Sequence, residues 1–184
     1  TVGSYRGNTF YLRNTNTAGD ADLVIEFGAP GDLPVAGDWD GDGIDTIGVY
    51  RPGDAAWFLK NSNAGGAPDL AFTYGLENET PVAGDWNGDG IDTVGIFRAS
   101  DRQWYLHNTN ASGDAELVFP YGDPATDVPI VGDWDNDGTD TVGVYRPAQG
   151  EWFLKNTNAA GNADLNFTYG ILNERPGVGD WDGN

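Results

Sequence analysis

Apolar and polar residues alternate with a period of two in short segments along the whole chain. The alternation is clear in Leu23-Val-Ile-Glu-Phe27 and in Thr46-Ile-Gly-Val-Tyr-Arg51. This period places successive side chains on opposite faces of a strand, and no segment carries the longer period of a helix. The pattern therefore predicts an all-β protein built from short strands.

The segments recur in a fixed order every 47 or 48 residues, which indicates a repeat architecture. Each repeat holds four predicted strands, A to D. Strand A begins the segments Pro34 to Trp39, Pro81 to Trp86, Pro129 to Trp134 and Pro176 to Trp181. Strand B is Thr1 to Arg6, Thr46 to Arg51, Thr93 to Arg98 and Thr141 to Arg146; strand C is Phe10 to Arg13, Trp57 to Lys60, Trp104 to His107 and Trp152 to Lys155; strand D is Leu23 to Phe27, Leu70 to Tyr74, Leu117 to Tyr121 and Leu165 to Tyr169.

Four short antiparallel strands per repeat predict a four-bladed β-propeller forming one domain. Blade 1 comprises residues 1–28 and 176–184, blade 2 residues 34–75, blade 3 residues 81–122 and blade 4 residues 129–170. Pairing of Pro176 to Trp181 with Thr1 to Arg6 would close the ring and remove exposed sheet edges. An eight-bladed ring made from two chains is the alternative. Pro120 cannot donate to a central ladder, so strand D is predicted at the sheet edge.

Between strands A and B an acidic loop places oxygen-bearing side chains at every second position. Calcium takes six to eight oxygen ligands, and such a loop with glycine at position 6 can wrap one ion. An EF-hand is excluded because Val49, Ile96 and Val144 stand where its final glutamate would be. The alternative without metal is a turn in which the carboxylates accept hydrogen bonds from their own backbone.

These residues resemble the integrin-like FG-GAP or VCBS calcium-binding repeats, found in integrin propellers, fungal propeller lectins and bacterial secreted proteins. The resemblance covers essentially the whole chain and implies ligands at loop positions 1, 3, 5 and 9, with the carbonyl of position 7. The implied ligands at positions 1, 3, 5 and 7 are Asp38, Asp40, Asp42 and Ile44; Asp85, Asn87, Asp89 and Ile91; and Asp133, Asp135, Asp137 and Thr139.

Position 9 departs from that family pattern. It holds Thr46, Thr93 and Thr141, and an acid stands instead at position 8, as Asp45, Asp92 and Asp140. We expect the position-8 aspartate to complete each site, with a water molecule as the alternative ligand. The chain is thus predicted to bind about three calcium ions, and the shortened fourth loop predicts a weaker site at Asp180, Asp182 and Asn184.

The charge balance favours bound cations. Twenty-nine acidic and nine basic residues give a net charge of −20, which repels nucleic acid and anionic lipid head groups and destabilises a compact chain that holds no counterion. The absence of cysteine excludes thiolate metal sites. No apolar run is long enough to cross a bilayer, so membrane insertion is not expected. The start at Thr1 suggests a processed or excised piece of a longer chain.

The remaining candidate residues favour structural roles. His107 is equivalent to Arg13, Lys60 and Lys155, which predicts a solvated polar position rather than a general base, so no enzymatic activity is expected. The strand B arginines (Arg6, Arg51, Arg98, Arg146) are predicted to form ion pairs with loop carboxylates, with a ligand-binding ring as the alternative. The loop tryptophans (Trp39, Trp86, Trp134, Trp181) are predicted to pack between blades, with sugar stacking as the alternative.

Together with the resemblance, these features predict a calcium-stabilised protein of bacterial origin that is secreted or displayed on a cell surface. Its expected role is structural or adhesive, with a protein or glycan partner and self-association among the possibilities. The alternative function is a lectin that holds carbohydrate between its blades.

Overall fold

The computed structural model describes residues 2–170 and 173–179. These residues form fifteen strands, and no helix among them is long and apolar enough to cross a membrane. In chain order the strands are β1 (Val2–Arg6), β2 (Thr9–Arg13), β3 (Leu23–Glu26), β4 (Leu33–Gly37), β5 (Thr46–Arg51), β6 (Ala56–Leu59), β7 (Leu70–Thr73), β8 (Thr80–Gly84), β9 (Thr93–Arg98), β10 (Gln103–Leu106), β11 (Leu117–Pro120), β12 (Val128–Gly132), β13 (Thr141–Arg146), β14 (Glu151–Leu154) and β15 (Leu165–Thr168).

The strands form antiparallel sheets arranged as a four-bladed β-propeller, which confirms the predicted fold class. Blades 2, 3 and 4 have the strand orders β4-β5-β6-β7, β8-β9-β10-β11 and β12-β13-β14-β15, and blade 1 has the order β1-β2-β3. Strand β8 contacts both β4 and β12, so the A strands lie innermost. Strand D lies at the outer edge of each sheet, where Pro120 faces Gln103 of β10 as predicted.

Strand B is the most deeply buried element of each complete blade. Every residue of β5, β9 and β13 is buried except the terminal arginine, because the strand has a neighbour along each edge and apolar side chains packed on its faces. The glycine in the middle of each strand permits this packing. A Cβ atom on Gly95 would lie 2.8 Å from the Leu106 side chain and 2.9 Å from Val82.

Consecutive blades share apolar cores. In each, aromatic side chains of one blade pack against two aliphatic side chains of strand B in the next blade. The three sets are Phe10 and Phe27 with Ile47 and Val49, Trp57 and Tyr74 with Val94 and Ile96, and Trp104 and Tyr121 with Val142 and Val144. Trp39 and Trp86, each 4% exposed, belong to the second and third cores, which confirms that they pack between blades.

The predicted closing strand is not present among the described residues. Residues 176–179 form no strand, and β1 pairs only with β2 in the described part of the chain. Thr1 and residues 180–184 lie outside the described residues, and with them Trp181 and the predicted fourth site at Asp180, Asp182 and Asn184.

A difference between the tail and the other repeats explains why residues 176–179 form no strand. Gly177 stands where Val35, Val82 and Ile130 face the central glycine of strand B. Without a side chain, Gly177 has little to pack and a high entropic cost of ordering as a strand. A cavity of about 370 Å³ lies beside β1, lined in part by Val2, Gly3 and Ser4. Pro176 and Val178 lie beside β8 and β12.

The strand B arginines form the predicted ion pairs in three blades. Arg51 pairs with Asp32 at 2.9 Å and Arg146 with Asp127 at 2.7 Å, and Arg98 pairs with Glu79. Each of these guanidinium groups also lies over an aromatic ring of strand C, at 4.0 to 4.7 Å from the ring centroid. Each of these arginines therefore links the segment before strand A to strand B of the same blade.

We expect Asp127→Asn to lower the free energy of unfolding by about 2 kcal/mol, because a buried charge-assisted pair loses its anion. The Asp127 side chain is fully buried and also accepts hydrogen bonds from the Asp123 amide and the Thr126 hydroxyl. Burial opposes ionisation, but these bonds and Arg146 hold the pKa of Asp127 below its ordinary value. The stabilisation is thus present above about pH 4 and is lost as pH falls through the folded-state pKa.

Urea denaturation at neutral pH and at pH 3 checks this expectation. Asp101→Asn is the control, since the Asp101 side chain is 38% exposed and lies 3.6 Å from Arg98. It should cost less than about 0.5 kcal/mol. Equal losses in the two variants would contradict the structural role assigned to Asp127.

Candidate metal site in the AB loops

The acidic loops connect strand A to strand B in blades 2, 3 and 4. Two positions in each loop have positive φ, which lets the chain turn tightly around the carboxylates. At position 6, Gly43, Gly90 and Gly138 have φ between 83° and 87°. Position 4 is Gly41 or Gly88 in two loops and Asn136, with φ of 59°, in the third, and asparagine tolerates this left-handed conformation better than most residues.

The aspartate at position 1 organises each loop through backbone amides. Asp38 accepts hydrogen bonds from the amides of Gly41, Asp42 and Gly43, at 2.8, 3.1 and 2.7 Å. Asp85 and Asp133 accept equivalent bonds, including those from Gly90 and Gly138 at 2.7 and 2.9 Å. These are the bonds that a turn without metal would form. They also fix the carboxylates in place.

Two of the loops bring three carboxylates together. One oxygen from each of Asp38, Asp40 and Asp42 lies within 4.8 Å of the others, and the same holds for Asp133, Asp135 and Asp137. In the loop of blade 3, Asn87 replaces the acid at position 3, and its side-chain amide donates a hydrogen bond to Asp89 at 3.0 Å. The structure thus brings together the side chains predicted at positions 1, 3 and 5 in blades 2 and 4, and those at positions 3 and 5 in blade 3.

No basic side chain of the described residues forms an ion pair with these triads. Lys60, Arg51, Arg98, Arg146, Lys155 and Arg13 pair with other carboxylates. Three close carboxylates repel one another, and no protein cation in these ranges offsets the repulsion. The arrangement can accept a small divalent cation with oxygen ligands.

The position-8 aspartates of blades 3 and 4 accept hydrogen bonds from the preceding blade. The Asp92 carboxylate accepts a hydrogen bond from the Asp38 amide of the preceding blade at 2.7 Å, and Asp140 accepts one from Asp85 at 3.0 Å. The reverse bonds, from the Asp92 and Asp140 amides to the Asp38 and Asp85 carbonyls, are both 2.8 Å long. This double contact, which we call the interblade latch, joins the loops of adjacent blades.

Burial raises the pKa of Asp92 to about 6; the hydrogen bond from the Asp38 amide opposes this effect, and the nearby carboxylates of Asp140, Asp45 and Asp85 add to it. The pKa of Asp140 is raised for the same principal reason. Within the described residues, neither aspartate nor Asp45 belongs to a carboxylate triad. The latch therefore gives Asp92 and Asp140 a partner without a metal.

The position-9 threonines also have partners within the fold. Thr46 and Thr141 are buried, and their hydroxyls donate to the carbonyls of Lys60 and Lys155, both at 2.6 Å. Three asparagines that sequence reasoning missed support the same end of the loop. Asn63, Asn110 and Asn158 donate to the position-8 carbonyls at 2.8 to 3.0 Å, and their recurrence at one position of each repeat was the available signal.

His107 lies in a structural contact shared by its repeat equivalents. It lies 2.7 Å from Glu116, and Lys60 and Lys155 form the same pairs with Asp69 and Asp164. The expectation of a solvated position was wrong, because His107, Lys60 and Lys155 are all at least 93% buried. The His107 ring also stacks on Tyr74 with centroids 5.0 Å apart.

Comparison with known proteins gives no match: no family model, curated protein or solved structure is significantly similar to this chain. The resemblance to FG-GAP or VCBS repeats therefore rests on the repeat residues alone.

Proposed function

We propose that the chain is a calcium-binding structural module whose AB loops hold the ions. The observation that carries the proposal is the convergence of three carboxylates in the loops of blades 2 and 4, with no protein cation among the described residues to balance them. Three carboxylates, the carbonyl of Ile44 or Thr139 and water molecules would supply the oxygen ligands that calcium takes. The blade 3 loop, with Asn87, would bind more weakly.

Water rather than the position-8 aspartate completes these sites in our proposal. In blade 4 the position-8 aspartate, Asp140, is committed to the interblade latch, and in blade 2 its equivalent Asp45 lies outside the carboxylate triad. The position-9 threonines, Thr46 and Thr141, donate to backbone carbonyls. Few fixed ligands and solvent exposure favour a dissociation constant on the order of 10⁻⁴ to 10⁻³ M, as in extracellular calcium modules. Such an affinity would suit a role outside the cell, where a rigid propeller would present its surface to a protein or glycan partner.

The latch would let calcium binding in one loop affect the contact with the next blade. Position 1 of one loop is both a proposed ligand and the backbone partner of the next blade, as in Asp38 and Asp92. An ion bound to the Asp38 carboxylate would fix the position of the Asp38 backbone amide, which donates a hydrogen bond to Asp92. We therefore infer that calcium stiffens the junctions between blades as well as the loops.

Isothermal titration of chelator-treated protein with calcium chloride tests the sites one loop at a time. We expect at least two binding events per chain and the loss of one in Asp135→Asn, because this change removes a carboxylate of the blade 4 triad. Asp140→Asn is the matched control. It removes the same charge five residues later, at the latch, and should retain the wild-type number of binding events. No binding in the wild type, or equal losses in the two variants, would contradict the proposed ligands.

A further inference from the structure

Blade 4 exposes aromatic side chains whose equivalents in the other blades are buried or partly buried. Tyr74 and Tyr121 are 5% and 7% exposed, whereas their equivalent Tyr169 is 73% exposed. Phe167 is 47% exposed, and its equivalent Phe119 only 5%. Trp152 stacks on Phe167 at 6.1 Å. We call Trp152, Phe167 and Tyr169 the aromatic face.

Blade 1 carries the complementary half of an interblade contact. The residues equivalent to Val142 and Val144, which are 0% and 1% exposed, are Val2 and Ser4. Val2 is 48% exposed, Ser4 is also exposed, and β1 has an unpaired edge within the described residues. We call Val2 and Ser4 the strand B face.

A glycine in each blade shows how closely these two faces fit. A Cβ atom on Gly28, Gly75 or Gly122 would lie 2.8 to 3.0 Å from the second aliphatic residue of the next strand B, namely Val49, Ile96 or Val144. Gly170 also has a positive φ, 96°, but among the described residues no atom of β1 lies within 4 Å of the corresponding position. Blade 4 is thus shaped for a following blade.

We propose that a second copy of this chain covers both faces. The aromatic face of each copy would pack on the strand B face of the other, repeating the contact made three times within the chain. A twofold pair satisfies both faces of both copies. In this pair the four blades of each chain, open between blade 4 and blade 1, form half of an eight-bladed ring. Closure within one chain would bury Tyr169 and Val2 in the single chain, and there both are exposed.

Sedimentation equilibrium of the full chain over a range of micromolar concentrations tests this assembly. We expect a species of twice the 19.6 kDa chain mass. Tyr169→Asp should reduce it to the monomer, because it places a charge in an apolar contact. Val118→Asp is the matched control, since Val118 is 50% exposed on the outer strand of blade 3 and should leave the dimer intact.

Ser4→Val restores the aliphatic residue found in the other three contacts and should tighten the dimer by at least about tenfold. Circular dichroism of each variant verifies that the fold is retained. A wild-type monomer at all concentrations would overturn the proposal, and so would open-ended polymers or equal effects of Tyr169→Asp and Val118→Asp. None of these outcomes depends on whether the loops bind calcium.

Discussion

Replacing Trp104 with alanine is expected to lower the free energy of unfolding by about 3 to 5 kcal/mol, one of the two largest effects in this protein. Trp104 is fully buried in the core that joins blade 3 to Val142 and Val144 of blade 4. Its indole nitrogen donates to the Tyr121 carbonyl at 3.1 Å, so truncation leaves that acceptor without its donor as well as a cavity. The loss therefore reaches two blades at once.

Urea denaturation at fixed calcium concentration measures this effect, with Val118→Ala as the control. Val118 lies on β11 and is 50% exposed. Its replacement by alanine should lower the free energy of unfolding by less than about 0.5 kcal/mol. A Trp104→Ala protein as stable as the wild type would show that stability does not depend on packing between blades.

The strands were predictable because their signals are local and repeated. The predicted limits of Thr46 to Arg51, Thr93 to Arg98 and Thr141 to Arg146 coincide with β5, β9 and β13. Alternation along a strand reports burial on its two faces, and three copies of one pattern reinforce each other. The carboxylates at positions 1, 3 and 5 were equally accessible to sequence reasoning, since a single tight loop brings them together.

The contacts that sequence reasoning missed are distant along the chain. The Asp92 carboxylate accepts a hydrogen bond from the amide of Asp38, which lies 54 residues earlier in the chain. The sequence of the loop alone gives no sign of this distant partner, so it predicts that position 8 serves its own loop. The burial of Lys60 had a local signal that went unused: an acid stands nine residues after the cation, as with Asp69. Pairing the cation with this acid would have predicted a fixed contact instead of a solvated side chain.

The tail shows where a repeat pattern can mislead. Residues 176 to 181 match the strand A segments in their proline, Gly179, aspartate and tryptophan. Gly177, however, lacks the side chain that faces the central glycine of strand B in the other blades. A match at the turn residues specifies the loop that follows. It does not supply the apolar packing that holds the strand in the sheet.

Calcium is expected to produce the other large effect on stability. A ligand that binds only the folded state adds about 2.7 kcal/mol per site at a free concentration one hundred times its dissociation constant. For a chain of this size, each kcal/mol raises the melting temperature by about 2 to 4 °C. Two occupied loops should thus raise it by more than about 10 °C, and Asp40→Asn combined with Asp135→Asn should abolish most of the rise.

Calcium binding by the AB loops is tested most directly by a pair of thermal melts, one in saturating calcium and one in chelator. Sodium chloride in the chelator sample brings the two solutions to equal ionic strength. The sodium control separates specific binding from general screening of the −20 charge. We predict a higher melting temperature in calcium for the wild type and nearly equal temperatures for the double variant. Equal melting temperatures for the wild type in both solutions would contradict the proposal that the AB loops bind calcium.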